Sequence, residues 1–269
     1  MKNFLKYFFS ILLMLSCLIL FSMLAYKALF LDKDKEPETS VPEGNIKNEQ
    51  QAKPEAEDKP EEKEIKPEDA PFAAADASYF SDALFIGDSR TMGLSEYGRI
   101  EGASFFANTG MSVYNVREKK VNVAGAGEVS LEQLLDSKDY GKIYLMLGIN
   151  ELGYDMDQTV RKYKELVDWI CEKNPDGLLF IQGNLHVAAA RSDKDKYFNN
   201  NRINELNGRI SQFIDNKRIF YIDVNKLFDD EKGNLKAEYT SDNTHIFAKY
   251  YLDWTDWLLT KAIIPDSEA

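Results

Sequence analysis

Five short apolar runs set the strongest limit on how this chain can fold: Ala83-Leu-Phe-Ile-Gly87, Ser104-Phe-Phe-Ala107, Ile143-Tyr-Leu-Met-Leu147, Leu178-Leu-Phe-Ile181 and Ile219-Phe-Tyr-Ile222. Each is short enough for a strand and apolar at successive positions, as strands buried on both faces are. Helical periodicity fills the gaps. Val160, Tyr163, Val167, Ile170 and Cys171 share one side of a helix that must stop before Asn174-Pro175. Ile203, Leu206, Ile210, Phe213 and Ile214 form the apolar stripe of a second helix over Phe198 to Ile214. A third is expected from Ile246 to Ala262, burying Phe247, Tyr250, Tyr251, Trp254 and Leu258. Strands of this kind alternating with helices predict an α/β domain with a five-stranded parallel sheet covered on both faces. In such sheets ligands collect at the carboxyl ends of the strands. The first and third runs deliver Gly87-Asp-Ser89 and Gly148-Ile-Asn150 to that edge.

Ahead of this domain the composition changes twice, dividing the chain into residues 1–30, 31–75 and 76–269. From Tyr7 to Tyr26 there is no charged residue, a length that just spans a hydrocarbon core as a helix. Lys2 and Lys6 precede it and favour a cytoplasmic N-terminus with the rest of the chain outside. A cleaved signal peptide is the alternative, although the apolar run exceeds the usual length and no small-x-small site follows. Residues 31–75 read as a disordered stalk. Six of the eight prolines lie between Pro37 and Pro71, and almost no side chain there can build a core.

The net charge is −12, of which −7 falls between Leu31 and Ala70, while the first thirty residues carry +3. That leaves −8 for the domain, which repels phosphate backbones and makes nucleic acid an unfavourable partner. The two cysteines, Cys17 and Cys171, suggest neither a metal site nor a disulfide. Two isolated histidines, His186 and His245, make no zinc site either. Gly125-Ala-Gly127 hints at a dinucleotide loop, but Ser130 stands where a third glycine belongs, so a plain loop is expected.

The chemistry-bearing residues are few. A serine at a strand-to-helix turn, as Ser89 is, either exposes its hydroxyl beside free N–H groups or caps the helix. His245 follows Asp242 by three residues, so the carboxylate can fold back onto Nδ1 and leave Nε2 free. The rival reading is a surface turn in which Asp242 only caps. Donors for an oxyanion would be the N–H of Ser89, the N–H of Gly110 and the side-chain amide of Asn150. Asn150 equally suits a plain turn. His186 follows the fourth run and either lines the substrate pocket or is an incidental loop residue.

Taken in order, Gly-Asp-Ser after the first strand, a glycine about twenty residues on, Gly-x-Asn after a later strand and Asp-x-x-His near the end resemble the SGNH/GDSL hydrolase family. The resemblance covers roughly residues 80 to 262. It implies a flavodoxin-like three-layer α/β/α fold, Ser89 as nucleophile, His245 as base, Asp242 orienting it, an oxyanion hole of Ser89, Gly110 and Asn150, and no cofactor or metal. Arg90, Glu151 and His186 are the expected substrate-pocket residues. The chain departs from the family pattern at Arg90, where the eponymous leucine belongs, and at Val113, where a second glycine does. The substrate implied is an acylated carbohydrate or other small-acyl ester outside the membrane. The same apparatus would serve an acyltransferase, and the fold without the chemistry would serve a glycan-binding scaffold.

Overall fold

The computed structural model describes residues 65–264. The apolar segment 7–26 and most of the Pro-rich segment lie outside them. No helix among the described residues is long and apolar enough to cross a membrane.

The five apolar runs form strands β1 (Ala83–Gly87), β2 (Ser104–Ala107), β5 (Lys142–Met146), β6 (Leu178–Gln182) and β7 (Ile219–Ile222). They make one parallel sheet in the order β2-β1-β5-β6-β7. Counted within the sheet, that is the 2-1-3-4-5 order of the flavodoxin-like fold, whose switch point lies where the order reverses. Here the reversal lies at β1, between its neighbours β2 and β5, and the loops after all three strands open there.

Alternate residues feed two separate cores. Leu84, Ile86, Ile143, Leu145, Leu179 and Ile181 face one side with helices α2 (Leu131–Ser137), α3 (Met156–Lys173) and α4 (Asn200–Ile210). Phe85, Tyr144, Met146, Phe180 and Phe220 face the other with α1 (Ser89–Tyr97) and α5 (Tyr251–Leu259). The architecture is therefore the three-layer sandwich. On the second face each strand contributes one aromatic ring in register. Phe105, Phe85, Tyr144, Phe180 and Phe220 stack in sequence with centroid separations of 4.9, 4.5, 4.7 and 5.6 Å. Each such pair adds about 0.5–1.5 kcal/mol beyond area burial, so the ladder fixes strand register.

Four features differ from expectation. A two-stranded hairpin, β3 (Lys120–Val123) with β4 (Gly127–Ser130), sits between β2 and α2, with Gly125 in its turn and Gly127 opening β4. Ser130 then closes a capping box with Gln133 at the start of α2. The last helix begins at Tyr251, not Ile246, because Ile246 pairs with Thr240 in an extended bridge and Phe247 is left 39% exposed. The second helix is shorter than expected: α4 starts after Asn199, whose side chain accepts the N–H of Arg202, and ends in a 3-10 turn at Ser211–Phe213. Finally, the folded domain begins before residue 76. Ala73 exchanges backbone hydrogen bonds with Ala262, and Phe72 packs on Phe220.

Candidate active site

The turn after β1 is built by Asp88, whose buried side chain accepts the N–H of Arg90 at 2.9 Å and caps α1. The capping role thus falls to Asp88, and Ser89 becomes the first helical residue. An N–H at that position has no intrahelical partner. The Ser89 hydroxyl lies 2.9 Å from Nε2 of His245.

The second half of the site is a turn organised by one carboxylate. Oδ1 of Asp242 accepts the N–H of Thr244 at 2.9 Å, the N–H of His245 at 2.8 Å and the hydroxyl of Thr240 at 3.1 Å. Its Oδ2 is 2.7 Å from Nδ1 of His245. With Nδ1–H donating to Asp242, the neutral imidazole presents Nε2 as an acceptor for the serine O–H. Partial desolvation pushes the Asp242 carboxyl up. The N–H and imidazole of His245 and the N–H of Thr244 outweigh it and hold the group well below the usual carboxylate range. Asp242 is therefore ionised near neutral pH. Ser89, His245 and Asp242, the first two 156 residues apart in sequence, form one hydrogen-bonded run.

The loops after β2 and β5 meet beside this path. Asn150 Nδ2 donates to the carbonyl of Met111 at 2.9 Å, which fixes the amide and leaves its second N–H unassigned. Gly110 adopts φ +70°, a backbone conformation that favours glycine, and the space where a Cβ would sit is open. Gly148 needs φ +124°, and a side chain there would strike Leu206. Only glycine lets the β5 loop turn onto Asn150.

Glu151, expected at the substrate pocket, is 1% exposed. Its Oε1 accepts the N–H of Val113 at 2.6 Å, tying the Gly110 loop to the Asn150 loop. Burial, opposed by that N–H and reinforced by the nearby Asp88, pushes the carboxyl up to about 8. Oε2 has no partner among the described residues. Arg90 is likewise 1% exposed and donates to the carbonyl of Leu185. The position at which the family carries leucine points into the interior, so the guanidinium is buried, where desolvation pulls it down and the Asp88 charge pulls it up. His186 is also withdrawn. Its Nδ1 is 2.7 Å from Asp229 and its Nε2 is 2.8 Å from Asn204. Desolvation lowers its pKa, but the Asp229 hydrogen bond and charge win and raise it above the ordinary histidine value. All three side chains are buried and hydrogen-bonded to other parts of the protein. The sequence did not single out Asp88, Asp229 or Lys119, the last of which donates to Asn108 in the Gly110 loop at 3.2 Å.

A family model described as "GDSL-like Lipase/Acylhydrolase family" matches residues 85–251. Several solved structures share the fold at low identity. A Streptococcus pneumoniae protein provisionally assigned as a platelet activating factor is 19% identical, with a TM-score of 0.51 over 66% of this chain and 81% of that one. A GDSL-like lipase from Bacteroides thetaiotaomicron VPI-5482 is 17% identical, with a TM-score of 0.50 over 66% and 84%. A Bacteroides fragilis protein provisionally assigned as an acylhydrolase is 16% identical, with a TM-score of 0.50 over 65% and 83%. Among curated proteins, none matches the sequence.

Proposed function

Because the chain belongs to the GDSL-like lipase/acylhydrolase family and is an ester hydrolase of the SGNH type, we propose that it removes small acyl groups, acetyl above all, from cell-surface or cell-wall glycans. The observation that carries the catalytic part is the hydrogen-bonded run from Ser89 through His245 to Asp242.

In this reading the Ser89 oxygen attacks the ester carbonyl while its proton passes to Nε2 of His245. Asp242 stabilises the imidazolium that forms. Negative charge on the former carbonyl oxygen is met by the N–H groups of Ser89 and Gly110 and the free amide N–H of Asn150. Fixed donors of this kind contribute roughly 3–4 kcal/mol each. As the tetrahedral intermediate collapses and its bond to the sugar oxygen breaks, the imidazolium protonates that oxygen, so the sugar leaves as its alcohol and acetyl stays on Ser89. Water delivers its proton to Nε2, attacks the acyl carbon and releases acetate, and the serine recovers its proton.

The substrate class rests on how the site is exposed. The side chains of His245 and Asp242 are 43% and 52% exposed. A shallow cavity of about 550 Å³, lined by Arg191, Lys194, Asp195, Lys196 and Asp242 among others, opens on the Asp242 side of the pair, away from Ser89 and His245, which do not line it. Such polar, open surroundings admit a short acyl group carried on a bulky polar polymer and give little to a long acyl chain. Residues 7–26 as a membrane span and the Pro-rich segment as a stalk would hold the domain outside the membrane, within reach of such a polymer. The test is acetate release from purified O-acetylated wall glycans, compared with an aryl acetate. Release by the wild type and none by Ser89→Ala supports the reading. Hydrolysis of the aryl ester with no release from any glycan would refute the substrate class.

A further inference from the structure

We propose that His186 is a positioning residue: held as an imidazolium between Asp229 and Asn204, it braces the loop after β6 on which the catalytic turn is docked. The inference rests on the Ser89–His245–Asp242 reading and adds what holds that turn in place.

The state of the ring follows from its partners. Nδ1 is 2.7 Å from Oδ2 of Asp229, and Nε2 is 2.8 Å from Oδ1 of Asn204, which stands on α4. An ionised carboxylate and an amide oxygen only accept. A ring set between them satisfies both when each nitrogen carries a proton. The positive charge is also needed there. The side chains of His186 and Asp229 are 9% and 13% exposed, and Asp229 forms no other ion pair among the described residues. A carboxylate so placed without a cation is strongly unfavourable. Asp223, from the same segment after β7, adds a second negative charge near the ring. Burial lowers the proton affinity of the imidazole, but the hydrogen bond and charge of Asp229, helped by Asn204 and Asp223, outweigh it.

The brace reaches the catalytic groups through the backbone. The N–H of His186 donates to Asn225 at 2.8 Å, and Val187 exchanges two hydrogen bonds of 2.9 Å with the Asn200 side chain. The loop is thereby fixed at the ring itself. From it the N–H of Ala188 donates to the carbonyl of Asn243 at 3.0 Å, inside the turn from Asp242 to His245. Further along the same segment the Arg191 guanidinium donates to the Thr244 hydroxyl. On the other side of His186, the carbonyl of Leu185 accepts from Arg90, the neighbour of Ser89.

Losing the proton breaks this arrangement. Nε2 would turn a lone pair toward Oδ1 of Asn204, and Asp229 would lose its counter-ion. The loss falls above the ordinary histidine pKa of about 6.5, because the ring holds its proton more tightly than a free one. Activity should therefore fall at higher pH as His186 becomes neutral.

The chain has two histidines, His186 and His245, so long-range proton–nitrogen correlation spectra of the full-length protein with labelled histidine read each ring. In the parent, one ring should keep protons on both nitrogens through neutral pH, and that signal should vanish in His186→Gln. In the same variant the His245 ring should lose its single Nδ1–H tautomer. Its kcat on an aryl acetate should fall roughly ten-fold or more at unchanged KM. Asn204→Asp keeps the ring and sets a carboxylate against Nε2, which favours the charged form. Its alkaline fall in kcat should move to higher pH. Glu151 titrates in the same range, so a fall that stays in place in Asn204→Asp belongs elsewhere and overturns the brace. A neutral ring at His186 below about pH 7, or parental His245 spectra and kcat in His186→Gln, overturns it equally. Absence of ester hydrolysis by the parent removes the triad reading instead, and the two ring spectra then decide the brace.

Discussion

Replacing Glu151 by glutamine tests how the two oxyanion loops are joined. The carboxyl is 1% exposed, and its pKa is raised from 4.5 to about 8, first by burial. A carboxyl whose folded pKa lies above its unfolded one holds a proton in the native state that the unfolded chain has released. Stability from this group is therefore complete below pH 4.5 and falls as pH rises, levelling only above about 8. Each pH unit in that window is worth about 1.4 kcal/mol, so the full loss at pH 7 approaches about 3 kcal/mol as an upper bound. Glutamine keeps a carbonyl for the N–H of Val113 but cannot ionise. In urea denaturation followed by tryptophan fluorescence, Glu151→Gln should gain on the wild type steadily between pH 5 and 8. Any fixed cost of the amide shifts that difference without changing its slope. A difference that is flat with pH, or that shrinks as pH rises, would refute the buried neutral carboxyl.

Other expectations follow from the same geometry. Asp242→Asn should lower kcat on an aryl acetate on the order of 10³–10⁴-fold, because the amide no longer selects the Nδ1–H tautomer; circular dichroism checks that the fold survives. Asn150→Ala should lower kcat roughly 10²–10³-fold, since the variant loses a donor to the developing oxyanion; steady-state kinetics decide whether the loss falls on kcat or on KM. Phe180→Ala removes the fourth ring of the aromatic ladder from a fully buried position. It should cost about 3–5 kcal/mol in denaturant unfolding.

The sheet was legible because its strands are buried on both faces and so leave uninterrupted apolar runs. The hairpin β3–β4 left no such trace: Lys120 and Asn122 alternate with buried valines, and Gly127 and Glu128 are exposed. The aromatic-rich tail imitated a longer helix. Local hydrogen bonding to Asp242 and the bridge from Thr240 to Ile246 kept the chain extended up to Phe247. Within the site, Ser89 and the Asp242–His245 pair were readable because each sits in a short local motif. Arg90, Glu151 and His186 were expected to line the pocket and are buried instead. Their partners, Leu185, Val113, Asp229 and Asn204, lie 18 to 95 residues away, and no local spacing announces them.

The most direct test of the account is intact-protein and peptide mass spectrometry after treatment with a fluorophosphonate. A single adduct on Ser89 is expected, absent in Ser89→Ala and formed far more slowly in His245→Ala. An unlabelled wild type, or an adduct on any other residue, would contradict a serine activated by its neighbouring imidazole.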